Sequence, residues 1–267
     1  MLVRSARAQS QQIGSIEFVA RVSPTDGHAE PVRGFTFYLL RKSFQDIRHE
    51  AEALEPAPNM DEFIKGLTVS DELKTWMKKN KRVDLAGPEF PKAVSPEDVL
   101  RIPEFKAGYM LQNQGDRSVG MPNPRYREID KEKNPQKYQK EVDDYFTALK
   151  KFIAANPDTL NTLEIALDKL NPGPRWSKLV ADRTARVHRH SLELAEFQYK
   201  AGQCDTDLDG HGRFDGLPAG DYWISTIEAQ AMSGDARVRW DLRVQVVPGR
   251  ASTLQLSNLN GIEPRTP

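Results

Sequence analysis

The chain has a single cysteine, Cys204, in 267 residues. That excludes an internal disulfide, a CxxC redox pair and a zinc cluster built on cysteines. Charge of one sign is lacking too, since 38 Lys plus Arg face 38 Asp plus Glu. The balance gives no ground for nucleic-acid or other polyanion binding. No apolar run reaches the roughly 20 residues that span a bilayer, and mean hydropathy is −0.63 with 28% charged residues. HExxH, GxSxG and P-loop patterns are missing, so no metalloprotease, serine-hydrolase or phosphate-cradling chemistry can be read from a motif. Cys204 reads as a half-buried thiol beside a strand.

Apolar substance is also short at the start. Ser5-Ala6-Arg7-Ala8-Gln9-Ser10 has the small residues of a signal-peptide cleavage region, yet only Leu2 and Val3 stand where its apolar core belongs. Residues 1–12 therefore read as a tail, either a signal-peptide remnant or an ordinary frayed end.

What is present changes character along the chain. Apart from Lys42, every lysine lies between Lys65 and Lys200. Before that stretch, Ile16, Phe18, Ala20 and Val22 alternate with Glu17, Val19 and Arg21, and Phe35, Phe37 and Leu39 alternate again. After it, Tyr222, Ile224 and Thr226 share one strand face, and Val238, Trp240, Leu242, Val244 and Val246 share another. Period-2 segments separated by turns such as Pro24-Thr25-Asp26-Gly27 and Pro248-Gly249 predict an antiparallel sandwich. The middle has helical spacing. Asn134-Pro135 and Asn156-Pro157 each supply a cap and a first-turn proline, Ser70 and Ser95 are further caps, and Asn171-Pro172-Gly173-Pro174 breaks the chain. A long helix is expected from about Ser177 to Lys200, with Leu179, Val180, Val187, Leu194 and Phe197 inward. Two strands alone are marginal in water. The first pair must therefore join the later ones, which makes the helices an insertion into one sandwich.

The flanking segments resemble the carboxypeptidase regulatory-like, or transthyretin-like (prealbumin-like), domain. The residues that carry the resemblance are Gly14-Ser15-Ile16, Pro31-Val32-Arg33-Gly34-Phe35, Thr206 through Phe214, Gly216-Leu217-Pro218-Ala219-Gly220-Asp221-Tyr222, and Val246-Val247-Pro248-Gly249 before a Leu-x-Leu ending. The resemblance implies a seven-stranded antiparallel prealbumin-like sandwich over 13–46 and 203–260; the chain departs from the family after the second strand, where the link is normally short and an α-helical insertion over 47–202 makes the whole α+β, with a tail at 261–267. It also implies a periplasmic or secreted bacterial protein that binds or scaffolds without catalysing. In that frame Gly212, Gly216 and Gly220 serve tight turns or close backbone approach, and Phe214, Leu217 and Tyr222 anchor the turns.

Several residues invite chemistry. Asp205, Asp207 and Asp209, with Gly210, copy the first half of a calcium loop, but Gly216 stands where the closing Glu belongs. An Asx-rich turn explains the same pattern. His188 and His190, two apart on a helix, point in opposed directions and cannot share a metal. A hydrolase site at the insert–sandwich junction would have to gather His49, Glu50, His188 or His190. Arg237, Arg239 and Arg243, around Asp241, read as a solvated strand face. If Tyr222 and Ile224 face the core, Trp223 and Ile227 face outward, as Tyr38 and Leu40 do opposite Phe37 and Leu39. Such groups need a cover, which the helices are expected to supply; otherwise Tyr38, Trp223 and Ile227 form a partner face or a sugar-stacking platform. The leading expectation is a protein–protein binding or assembly module, the second a carbohydrate-binding module, the third a hydrolase.

Overall fold

The computed structural model describes residues 13–113 and 120–262; the tail 1–12 lies outside them. The chain is mixed α+β. It runs β1 Ile13–Val22, β2 Glu30–Pro31, β3 Thr36–Leu40 and α1 Phe44–Leu54. Among the described residues the helices that follow are α2 Met60–Lys65, α3 Asp71–Asn80, α4 Phe90–Ala93, α5 Pro96–Arg101, α6 Pro103–Asn113, α7 Asp130–Lys133, α8 Pro135–Ala155 and α9 Leu163–Leu167. The long α10, Gly173–Leu194, passes into a π-helical turn, Ala195–Tyr199. The chain then returns to strands: β4 Lys200–Asp205, β5 His211–Pro218, β6 Gly220–Ser225, β7 Ala231–Ser233, β8 Ala236–Val238, β9 Asp241–Val246 and β10 Ala251–Leu256. Contacts divide it into two compact units, one formed by the described parts of Met1–Pro56 and Thr184–Pro267, the other by Ala57–Arg183. The helical unit is thus narrower than 47–202. Helix α1 and the last turns of α10 cluster with the strands.

In the strand-bearing unit β1 pairs with β10 on one side, and with β5 and then the short β2 on the other. A second sheet runs β4-β3-β6-β9. Buried residues from both sheets meet in one cluster: Ile16, Phe18 and Ala20 of β1 and Phe214 of β5 join Phe37, Leu39, Tyr222, Ile224 and Val244. Phe18 lies edge-on to Phe37 with ring centroids 4.8 Å apart, and Phe37 leans on fully buried Trp240 at 5.7 Å. Inward-pointing period-2 residues therefore make the core.

One pairing departs from the expected antiparallel scheme. β1 and β10 are parallel, in register from Ser15↔Ala251 to Ala20↔Leu256. The run expected from Val238 to Val246 is also broken: β8 pairs with β7, while Arg239 bridges Ile262, within the expected C-terminal tail. Trp240 ends that break by donating Nε1 to the Ser257 carbonyl at 3.1 Å.

The helical unit has its own core. Trp76, Phe90 and Phe105 pack mutually edge-to-face at 5.1–6.0 Å. Leu149, Ile153, Leu163 and Leu167 close around them. Ser70 caps α3 by accepting from the Leu73 amide, and its own hydroxyl donates to Glu104 at 2.6 Å. Asn134 caps α8 through Lys137 N. The Asn171–Pro174 segment does not break the chain before Ser177. Asn171 Oδ1 accepts from Leu85 N and Gly173 N, and the helix starts at Gly173 with Pro174 in its first turn, where proline is tolerated.

Gly212 on β5 tests the sandwiched core most sharply. A Cβ there would stand 2.2 Å from Phe18 Cζ. Gly212→Ala is expected to cost about 1–3 kcal/mol, read as a lowered midpoint in thermal unfolding followed by circular dichroism.

Candidate functional site

The outer face of the β4-β3-β6-β9 sheet is covered. Leu40, Phe44, Ile47 and Ala195 form a separate buried cluster, and Tyr38, Leu194, Tyr199, Trp223 and Ile227 pack half-buried against it. The cover consists of α1 and the π turn. Helix α1 is pinned at its start: Ser43 Oγ accepts from Asp46 N, and Asp241 Oδ2 of β9 accepts from Gln45 N at 3.3 Å. A second clasp joins Lys42, Glu50 and Tyr199. Lys42 Nζ stands 2.5 Å from Glu50 Oε2, which also accepts from Tyr199 Oη at 2.8 Å. Those bonds hold the Glu50 carboxyl below its ordinary range and the Tyr199 phenol above its own. Tyr38, Trp223 and Ile227 are thus half-buried parts of an internal contact.

The residues considered for hydrolysis go to separate partners. His188 Nδ1 lies 3.0 Å from Glu228, His190 Nδ1 is 3.4 Å from Glu55, and Glu50 is committed to Lys42 and Tyr199. His49 is exposed on α1. Cys204 is half-buried against the core, and burial pushes its thiol up to about 11, far from a thiolate nucleophile.

The Asp-rich segment folds as a turn between β4 and β5. Asp207 Oδ1 accepts from Asp209 N at 2.9 Å and from His211 N at 2.8 Å, and these amides lower its carboxyl below the usual range. Asp205 accepts from Thr36 Oγ1 at 2.6 Å. Gly210, at φ 83°, comes so close to the Ala20 carbonyl that a Cβ would stand 2.5 Å away. Among the described residues, no three His, Cys, Asp or Glu side chains are grouped to hold a metal ion. Asp205, Asp207 and His211 border an open groove of about 770 Å³ that also takes in Glu17, Val19, Arg213, Thr253 and Gln255.

A second surface feature went unseen in the sequence. A notch of about 460 Å³ is lined by Leu54 of α1 with His190, Glu193, Leu194, Phe197 and Gln198. Phe197, expected inward, is 86% exposed, and Leu54 is 62% exposed. Leu179 and Val180, also expected inward, are exposed on α10. With Ala195 and Tyr199 facing the sheet, Phe197, two residues from each, stands on the opposite side of the π turn.

No protein-family model matches the chain, and no curated protein matches it. Among solved structures, it is similar to a Pseudomonas aeruginosa protein proposed to be a carbohydrate binding protein, at 11% identity over 94% of this chain and 93% of that one, with a TM-score of 0.23. A likeness at that score carries no argument. Among the described residues, no helix is long and apolar enough to cross a membrane.

Asp241 offers a test of the α1 clasp. Burial outweighs its amide contacts and holds its carboxyl above the ordinary 3.8, while its Oδ1 is buried with no hydrogen-bond partner among the described residues. The folded protein therefore binds this proton more tightly than the unfolded chain. That contribution is complete below pH 3.8 and is lost as pH rises through the folded value. Asp241→Asn removes the dependence, so the variant is expected to gain stability relative to the parent between about pH 4 and pH 7, measured by urea unfolding at both.

Proposed function

We propose that this protein is a non-catalytic binding module whose protein partner docks at the notch between α1 and the end of α10. The observation that carries the reading is Phe197, a large aromatic held 86% exposed beside Leu54 and Leu194. Exposed aromatics flanking an apolar recess are the usual anchors of protein interfaces, and π turns recur where a helix serves function rather than packing. The polar rim of His190, Glu193 and Gln198 suits a contact that must also exist in water.

The strand-bearing unit is read as the prealbumin-like sandwich that the sequence resembles. Setting aside the short β2, β7 and β8, its strands number seven: β10, β1 and β5 in one layer, β4, β3, β6 and β9 in the other. The helices between β3 and β4 are then the insertion after the second strand, and both walls of the notch belong to that stretch. The periplasmic or secreted location implied by the resemblance is part of the same proposal. The dispersal of His188, His190 and Glu50 among different partners favours binding over hydrolysis.

Phe197→Asp tests it. Affinity capture of the full chain from its native organism is expected to recover a stoichiometric companion, and the variant, folded by circular dichroism, is expected to lose it. Removing an anchor of this kind weakens binding by about 2 kcal/mol or more, roughly thirty-fold. Equal recovery by both proteins, or recovery of neither with a companion, overturns the reading.

A further inference from the structure

The groove on the opposite sheet shares no residue with the notch and has its own chemistry. Inward residues of β1 are spent on the core, so Glu17 and Val19 point outward. The registers align them with their neighbours. Glu17 lies between Thr253 of β10 and Arg213 of β5, and Val19 lies between Gln255 and His211. Three adjacent strands thus present two parallel rows of side chains, Thr253–Glu17–Arg213 and Gln255–Val19–His211, about 4.8 Å apart from strand to strand. The groove runs over this grid to Asp205 and Asp207 at the β4–β5 turn.

The polar groups are held before any ligand arrives. Arg213 Nη1 is 2.7 Å from Glu17 Oε1, and its Nε donates to both Asp215 oxygens at 2.7 and 2.9 Å. His211 Nδ1 stands 3.3 Å from Asp207, whose other oxygen holds the turn amides. Among the described residues, Arg213 Nη2, Glu17 Oε2, His211 Nε2, the Gln255 amide and the Thr253 hydroxyl have no such side-chain hydrogen-bond partner. The grid therefore offers donors and acceptors side by side, with Arg213 committed to Glu17 and Asp215 and the Asp205 and Asp207 carboxylates committed to Thr36, the turn amides and His211.

That combination selects a ligand class. An anion meets Glu17, Asp205 and Asp207. A cation must displace Arg213 from Glu17, or the hydroxyl and amide donors already bound to Asp205 and Asp207. A phosphate or carboxylate ligand would need an uncompensated fork, which Arg213, bound to Glu17 and Asp215, does not present. A neutral molecule with many hydroxyls, each both donor and acceptor, matches the grid without separating an ion pair. Val19 supplies a half-buried apolar spot for C–H faces. We infer that the outer face of β10-β1-β5 is a binding site for a neutral saccharide chain, held by Glu17, Arg213, His211, Thr253 and Gln255.

Amide-resolved NMR titration of the full chain tests it, with neutral gluco-, manno-, xylo- and chito-oligosaccharides at millimolar concentration as probes. At least one is expected to give saturable shifts at Glu17, Val19, His211, Arg213, Thr253 and Gln255. Arg213→Ala is expected to weaken it about ten-fold. Arg243→Ala, which removes another exposed pair with Asp221, is expected to change nothing. Should Arg213→Ala fail to fold, Thr253→Val with Gln255→Ala takes its place, with the same expected loss. No saturable shift with any probe, shifts centred on Tyr38 and Trp223, unaltered binding by the groove variant, or stronger binding of a uronic-acid oligosaccharide overturns the inference. None of these outcomes bears on the Phe197 notch.

Discussion

The structure depends on β1 being held between strands from the far end of the chain. Its amides and carbonyls pair with β10 in parallel and with β5 in antiparallel fashion. Its inward side chains Ile16, Phe18 and Ala20 supply the middle of the core. Neither contribution exists without the other, because a strand with a half-buried face is stable only when its backbone is paired and its face covered. The helical stretch must therefore leave after β3 and come back before β4. Where it leaves and returns, Arg186 Nε meets Glu55 at 2.9 Å, so the two connecting segments are pinned side by side.

A consequence of this arrangement is that the second sheet is apolar on both faces. Phe37, Leu39, Tyr222 and Ile224 face the core, while Leu40, Tyr38 and Trp223 face away. The outer face is sealed by α1, whose entry is fixed by Ser43 and Asp241, and by the π turn. Sealing it removes the aromatics most suggestive of a ligand platform and leaves exposed what the seal does not use, chiefly Phe197. Among the described residues, the first sheet has no such cover over Glu17 and Arg213, and its outward grid is polar. The two surfaces therefore differ in kind for a single reason: which sheet α1 and the π turn lie on.

Much of this was legible in the residues. Alternation picked out the inward faces of β1, β3 and β6, and the need of Tyr38 and Trp223 for a cover followed from parity alone. Caps at Ser70, Ser95 and Asn134 marked helix starts where they occur. The parallel sense of β1 and β10 was not legible, because period-2 patterning is the same for both directions. Nor was the exposure of Phe197, since the spacing alone does not say that Ala195 and Tyr199, rather than Phe197, face the sheet. Helix α1 was not legible as the cover, although Phe44, Ile47 and Ala51 bury one side of it. The grid of Glu17, Arg213 and Thr253 needed the strand register, which no single segment encodes.

Hydrogen–deuterium exchange of the full chain tests the central claim most directly. If β1 is the shared strand, the amides of Ile16 to Ala20 will be protected to the same degree as those of β5 and β10, and all three will open together as denaturant is added. Amides of Ile16 to Ala20 that exchange far faster than those of β5 and β10 would contradict it, and with it the joining of the two ends of the chain in one core.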